Sequence, residues 1–109
     1  MKRLITSLAA AAMLAASVPA SALTEVLTYI PAHWVQRDGS YTFYGTNNGP
    51  CGTAVFNVSK SLANFYELRD SLILAEVKNY KVDLVVEGCE GTYNTVTFAK
   101  VCRDAAWCS

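Results

Sequence analysis

The residues able to do chemistry in this sequence are few: four cysteines (Cys51, Cys89, Cys102 and Cys108), a single histidine, His33, and two carboxylates, Glu87 and Glu90, astride Gly88-Cys89. A cysteine nucleophile needs a free thiol within reach of a base, and His33 is the available base. The cysteines have a better account. They are even in number, contain no Cys-x-x-Cys pair, and leave five residues between Cys102 and Cys108. In a small exported domain such a set reads as two disulfides rather than a zinc site. No metal, no cofactor and no catalytic residue are therefore expected. Paired acids can act as acid and base on a glycosidic bond, but Glu87 and Glu90 fall in a Gly-containing segment read as a turn, where charged side chains are ordinarily solvated. Asn57-Val58-Ser59 fits a glycan-acceptor triplet. Gly-rich phosphate loops are absent.

The aromatics are the remaining candidates. If Phe43 faces inward, Thr42 and Tyr44 face outward, because side chains alternate along a strand. An outward Tyr44 close to Trp34 would make a platform for a sugar ring or a peptide strand, being apolar with a polar handle. Interior packing is the favoured competing account, since strands are ordinarily rich in aromatics. Trp107, held in a short Cys102 to Cys108 loop, is a second exposed candidate. The ligand-binding candidates are thus Trp34, Tyr44 and Trp107.

These residues need a scaffold, and 109 residues, 52% hydrophobic and 17% charged, can supply one compact domain. Residues 1–22 read as a signal peptide: Met1-Lys2-Arg3, an apolar run from Leu4 to Ala16, and the small-x-small ending Ala20-Ser21-Ala22. The run is shorter than the roughly 20 residues that span a bilayer, so no membrane insertion is expected after cleavage. The Ala-rich run points to a bacterial periplasm or medium. Residues 23–109 would then be one small disulfide-bonded domain. Removing Lys2 and Arg3 leaves a net charge of −2, which argues against nucleic acid as a partner because phosphate binding calls for a basic excess.

Within the domain, Thr24 to Val35 is strand-like but broken by Pro31, which cannot donate to a ladder. Asp38-Gly39 predicts a hairpin into Tyr41-Thr42-Phe43-Tyr44. Gly45 to Gly52 holds too many breakers for regular structure. Thr53 to Val58 is a third strand. Ser61 is placed to cap a helix from Leu62 to about Asn79, with Leu62, Phe65, Leu68, Leu72 and Ala75 at helical spacing. Lys81 to Glu87 and Asn94 to Val101 are the last two strands, with Val96 and Phe98 expected on one face. The fold expected is α+β, mostly β: a five-stranded antiparallel OB-like barrel with one amphipathic helix between strands 3 and 4, an open sandwich being the alternative.

The order of elements, the export signal and the helix followed by Lys81-Val82-Asp83-Leu84-Val85-Val86 resemble the small barrels that form the B subunits of AB5 toxins. The pattern Gly49-Pro50-Cys51, strand, helix, strand, Gly88-Cys89 and a closing strand is also similar to small exported bacterial proteins. The first resemblance implies assembly with a partner protein; neither carries a site residue to this chain. The expected bridges are Cys51 with Cys89 and Cys102 with Cys108, the other two pairings staying open. The expected function is a non-enzymatic exported binding module for a carbohydrate, peptide or protein. An oligomeric toxin-like subunit or inhibitor, and a small hydrolase, are the alternatives.

Overall fold

The computed structural model describes residues 23–109, so the expected signal segment lies outside the described residues. The described residues form six strands, β1 (Thr24–Thr28), β2 (Ala32–Val35), β3 (Tyr41–Tyr44), β4 (Val55–Val58), β5 (Lys81–Glu90) and β6 (Tyr93–Cys102). One α-helix, α1 (Phe65–Lys78), lies between β4 and β5, and a 3-10 helix (Ala105–Cys108) ends the chain. The sheet order is β1-β5-β6-β4-β3-β2. All neighbours are antiparallel except β4 and β6, which run parallel and share only the pairs Phe56↔Asn94 and Asn57↔Thr95.

The α+β, mostly-sheet class is therefore observed, with two corrections. There are six strands rather than five, because Pro31 divides the first segment and its halves pair with different partners, β1 with β5 and β2 with β3. The sheet is also not a closed barrel: no ladder joins β1 to β2. Only Tyr29, Ile30 and Pro31 separate these edge strands. A flat sheet would hold its edges about 24 Å apart, whereas four peptide steps reach at most about 14 Å, so the sheet must curl strongly. The Thr28 hydroxyl, accepting from the Thr46 amide at 2.6 Å, helps hold the end of β1 against the chain leaving β3.

The core lies inside the curl. Phe43 stacks on Phe56 with centroids 5.4 Å apart, and α1 adds Phe65, Leu68, Leu72 and Ala75 to Val58, Val82, Leu84, Val86 and Val96. Each such large side chain contributes on the order of 1.5–3 kcal/mol by leaving water. The helix begins at Phe65, three residues later than expected, because Ser61 bonds Ser59 rather than capping it. It stops at Asn79, which adopts the left-handed conformation while the Tyr80 amide bonds the Ala75 carbonyl at 2.8 Å.

Two bulges correct the reading of the last strands. The register slips between Val85↔Phe98 and Val86↔Val96, so Thr97 is an extra residue and Val96 is buried while Phe98 is exposed. A second slip near Gly88, with φ of 146°, lets β5 run on to Glu90 where a turn was expected. Both expected disulfides are present, Cys51–Cys89 and Cys102–Cys108, with Cα separations of 5.7 and 5.9 Å. No described cysteine is free.

Candidate functional site

A concave surface feature lies on the outer face of β3 and β4. On β3, Tyr41 and Phe43 point into the core, which sends Thr42 and Tyr44 outward; Asn57 lies opposite Thr42 and also faces out. Two hairpins overhang this face. The β2–β3 turn is closed by Gln36 and Gly39, and the β5–β6 turn by the pair Glu90↔Tyr93. Between them lies a cleft of about 570 Å³, lined by Gln36, Arg37, Asp38 and Ser40 from the first hairpin, Asn57 from β4, and Glu90 and Tyr93 from the second.

A chain of hydrogen bonds crosses the cleft floor. Gln36 Nε2 donates to the Thr42 hydroxyl at 3.1 Å, the hydroxyl donates to Asn57 Oδ1 at 2.7 Å, and Asn57 Nδ2 donates to Glu90 Oε1 at 3.4 Å. Thr42 is fully buried and Asn57 is 5% exposed although both face outward, so this polar ladder is covered from above. Buried polar groups are kept only when bonded, and here the bonds tie one overhanging hairpin to the other. Asp38 is held by its own turn: the Ser40 amide donates to its carboxylate at 2.9 Å and keeps the group below the usual carboxylate range.

Of the residues expected from sequence, Trp34 and Tyr44 come together on this same outer face, with ring centroids 4.9 Å apart. Trp34 sits opposite Thr42 in the β2–β3 ladder, so the aromatic pair borders the polar floor. Tyr44 is exposed and Trp34 half-buried; interior packing belongs instead to Tyr41 and Phe43. Trp107 is exposed but remote. It sits beyond the Cys102 end of β6, and that strand is about 30 Å long from Tyr93. Glu90 lines the cleft while Glu87 does not. Asn57, the acceptor of the glycan triplet, is buried and bonded, out of reach of modification. The polar floor of Gln36, Thr42 and Asn57 was not singled out by sequence. Its visible signal was a pair of polar residues, Thr42 and Asn57, set among core aromatics in two successive strands.

His33 is on the opposite side. Its Nδ1 lies 2.5 Å from Glu76 Oε1 of α1, and its ring is 5.2 Å from that of Tyr41. The pair ties the edge strand β2 to the helix. The phenol oxygen of Tyr41 is buried without a partner, and burial, helped by the Glu76 charge, raises its pKa above the ordinary 10.0. A raised folded-state pKa means that this stability is intact below pH 10 and drains away as pH climbs beyond it. Tyr41→Phe removes an unbonded hydroxyl and should raise stability by about 1 kcal/mol. Melts from pH 8 to 11 should also show a smaller alkaline loss in the variant than in the parent. Equal alkaline slopes would refute this account.

Among the described residues, no three His, Cys, Asp or Glu side chains are grouped to hold a metal ion, and no helix is long and apolar enough to cross a membrane. No protein-family model and no curated protein matches the chain.

Proposed function

We propose that this is an exported, non-enzymatic binding module that takes a carbohydrate in the cleft between the β2–β3 and β5–β6 hairpins. One observation carries it: a polar cleft whose floor is a hydrogen-bonded ladder ending in Gln36 and Glu90, with an aromatic pair, Trp34 and Tyr44, on the same outer face. A sugar ring offers hydroxyls to such a floor and an apolar C–H face to such a platform. The finer reading of the fold is OB-like. Counted as halves of one strand bent at Pro31, β1 and β2 make the neighbour order cyclic: first, fourth, fifth, third, second and back to the first. OB barrels bind through the loops joining strands 1–2 and 4–5 and through the face of strands 2 and 3, the positions this cleft occupies. Two disulfides in so small a domain agree with an oxidising periplasm or medium.

The test is a glycan array on residues 23–109 followed by titration of a bound glycan. Tyr44→Ala should weaken binding by up to about tenfold, the value of one aromatic contact, with an unchanged melting temperature. An array without hits, or turnover in a broad hydrolase screen, would defeat the proposal.

A second reading, a subunit that assembles with copies of itself or with a partner as the toxin-like topology implies, draws on the helix. Tyr66, Leu74 and Val77 of α1 are exposed apolar residues on the side away from the core. The solution mass of the purified domain tests it, a monomer at high concentration ruling out self-assembly.

A further inference from the structure

We infer that the cleft floor is polarised to present hydrogen-bond acceptors, so that its ligand is a neutral sugar offering a pair of hydroxyl donors, and acidic sugars are rejected. The inference rests on the carbohydrate reading above and deepens it.

The direction follows from one group. An ionised carboxylate can only accept, so the Asn57 atom facing Glu90 Oε1 must be the amide nitrogen. Its oxygen then faces Thr42, and that oxygen has no proton to give, so the Thr42 hydroxyl spends its single proton on it. Thr42 is left as an acceptor toward Gln36, which turns the Gln36 amide nitrogen inward and its carbonyl oxygen away from the floor. The charge on Glu90 thereby fixes the orientation of three side chains. Gln36 Oε1 and the second oxygen of Glu90 have no hydrogen-bond partner among the described residues, and both residues line the cleft.

Two outward acceptors, one at each end of a short buried ladder, match two donors on one ligand, as adjacent ring hydroxyls provide. A ligand carboxylate or sulfate brought to the same floor would face the two free acceptors and the charge of Glu90, with no proton of its own to share. Arg37 is the cation of the lining, but it is carried on the exposed turn rather than on the floor. Gln36 and Glu90 are therefore specificity determinants, and Thr42 and Asn57 are positioning residues.

The experiment titrates the oxidised domain with neutral oligosaccharides found on the array and with their uronic-acid and sulfated counterparts. The neutral series should bind at least tenfold more tightly. Glu90→Gln removes the fixed direction, because a glutamine can donate or accept, and should narrow that ratio by several-fold while leaving the melting temperature unchanged. Arg37→Gln removes the cation of the lining and should leave the preference for the neutral series in place. Equal or tighter binding of the acidic series, or an unaltered ratio in Glu90→Gln, overturns the polarity while the sugar site stands. Binding of neither series overturns the sugar site and the polarity together.

Discussion

Replacing Asn94 by leucine should lower stability by about 3 kcal/mol or more. Asn94 is fully buried on β6, beside the two-pair parallel seam with β4. Its side-chain oxygen accepts from the Cys51 amide at 2.9 Å, and its nitrogen donates to the Thr53 and Val55 carbonyls at 3.0 and 2.8 Å. The side chain thus adds three bonds to a seam with few of its own. Leucine fills similar space and leaves one amide and two carbonyls without partners, each worth roughly 1–3 kcal/mol when unmet, less where water reaches the loop. Aspartate should be nearly as harmful, since it offers acceptors where two donors are needed. Gly49→Ala attacks the same place from outside, for a Cβ there would collide with the Asn94 amide group. Urea unfolding with an unchanged m-value is the measurement. A loss below 1 kcal/mol for Asn94→Leu would show that the seam does not depend on this side chain.

The contrast between what could and could not be read in advance is clear at this seam. Alternation and breakers placed β3, β4, β5 and β6 nearly where they are, because each strand turns its large apolar side chains to one face and the pattern of period two is local. The disulfide pairing was anticipated as well. Pairing between strands is not local. Nothing in Thr24 to Val35 shows that its halves lie on opposite edges of the sheet, only that Pro31 interrupts it. Phe98 misled because the bulge at Thr97 reverses alternation, and an extra residue leaves no mark in the pattern of apolar side chains. The site divides similarly. Trp34 and Tyr44 stand out in the sequence because aromatics are conspicuous as a type, and the ladder puts them side by side. Gln36, Asn57 and Glu90 converge through four strand pairings, β2 with β3, β3 with β4, β4 with β6 and β6 with β5, and are ordinary when taken one at a time. Asn94 was read as the first residue of a strand, and its three bonds depend on a loop 40 residues earlier that carried no regular pattern.

Removing the Cys51–Cys89 bridge as a paired Ala substitution should cost about 4 kcal/mol, and removing Cys102–Cys108 about 2 kcal/mol. The difference comes from the loops they close, with sequence separations of 38 and 6, since the cross-link restricts the unfolded chain more when the loop is longer. A domain of this size has only about 5–15 kcal/mol in total, so the first loss takes a large share. Position adds to length. Cys51 lies within the irregular loop between β3 and β4 and donates its amide to Asn94, while Cys89 sits at the second bulge of β5. The bridge therefore spans the same weak seam from the other side, directly behind the hairpin that carries Glu90 and Tyr93. Sugar binding should fail together with stability in the Cys51/Cys89 pair, whereas the Cys102/Cys108 pair, at the far end of β6, should melt earlier but still bind. Thermal melts and titrations of the two variants, with alkylation and mass measurement confirming no free thiol in the parent, decide it. Equal losses from the two bridges would mean that loop length does not set their contribution, and full binding without Cys51–Cys89 would separate the seam from the cleft.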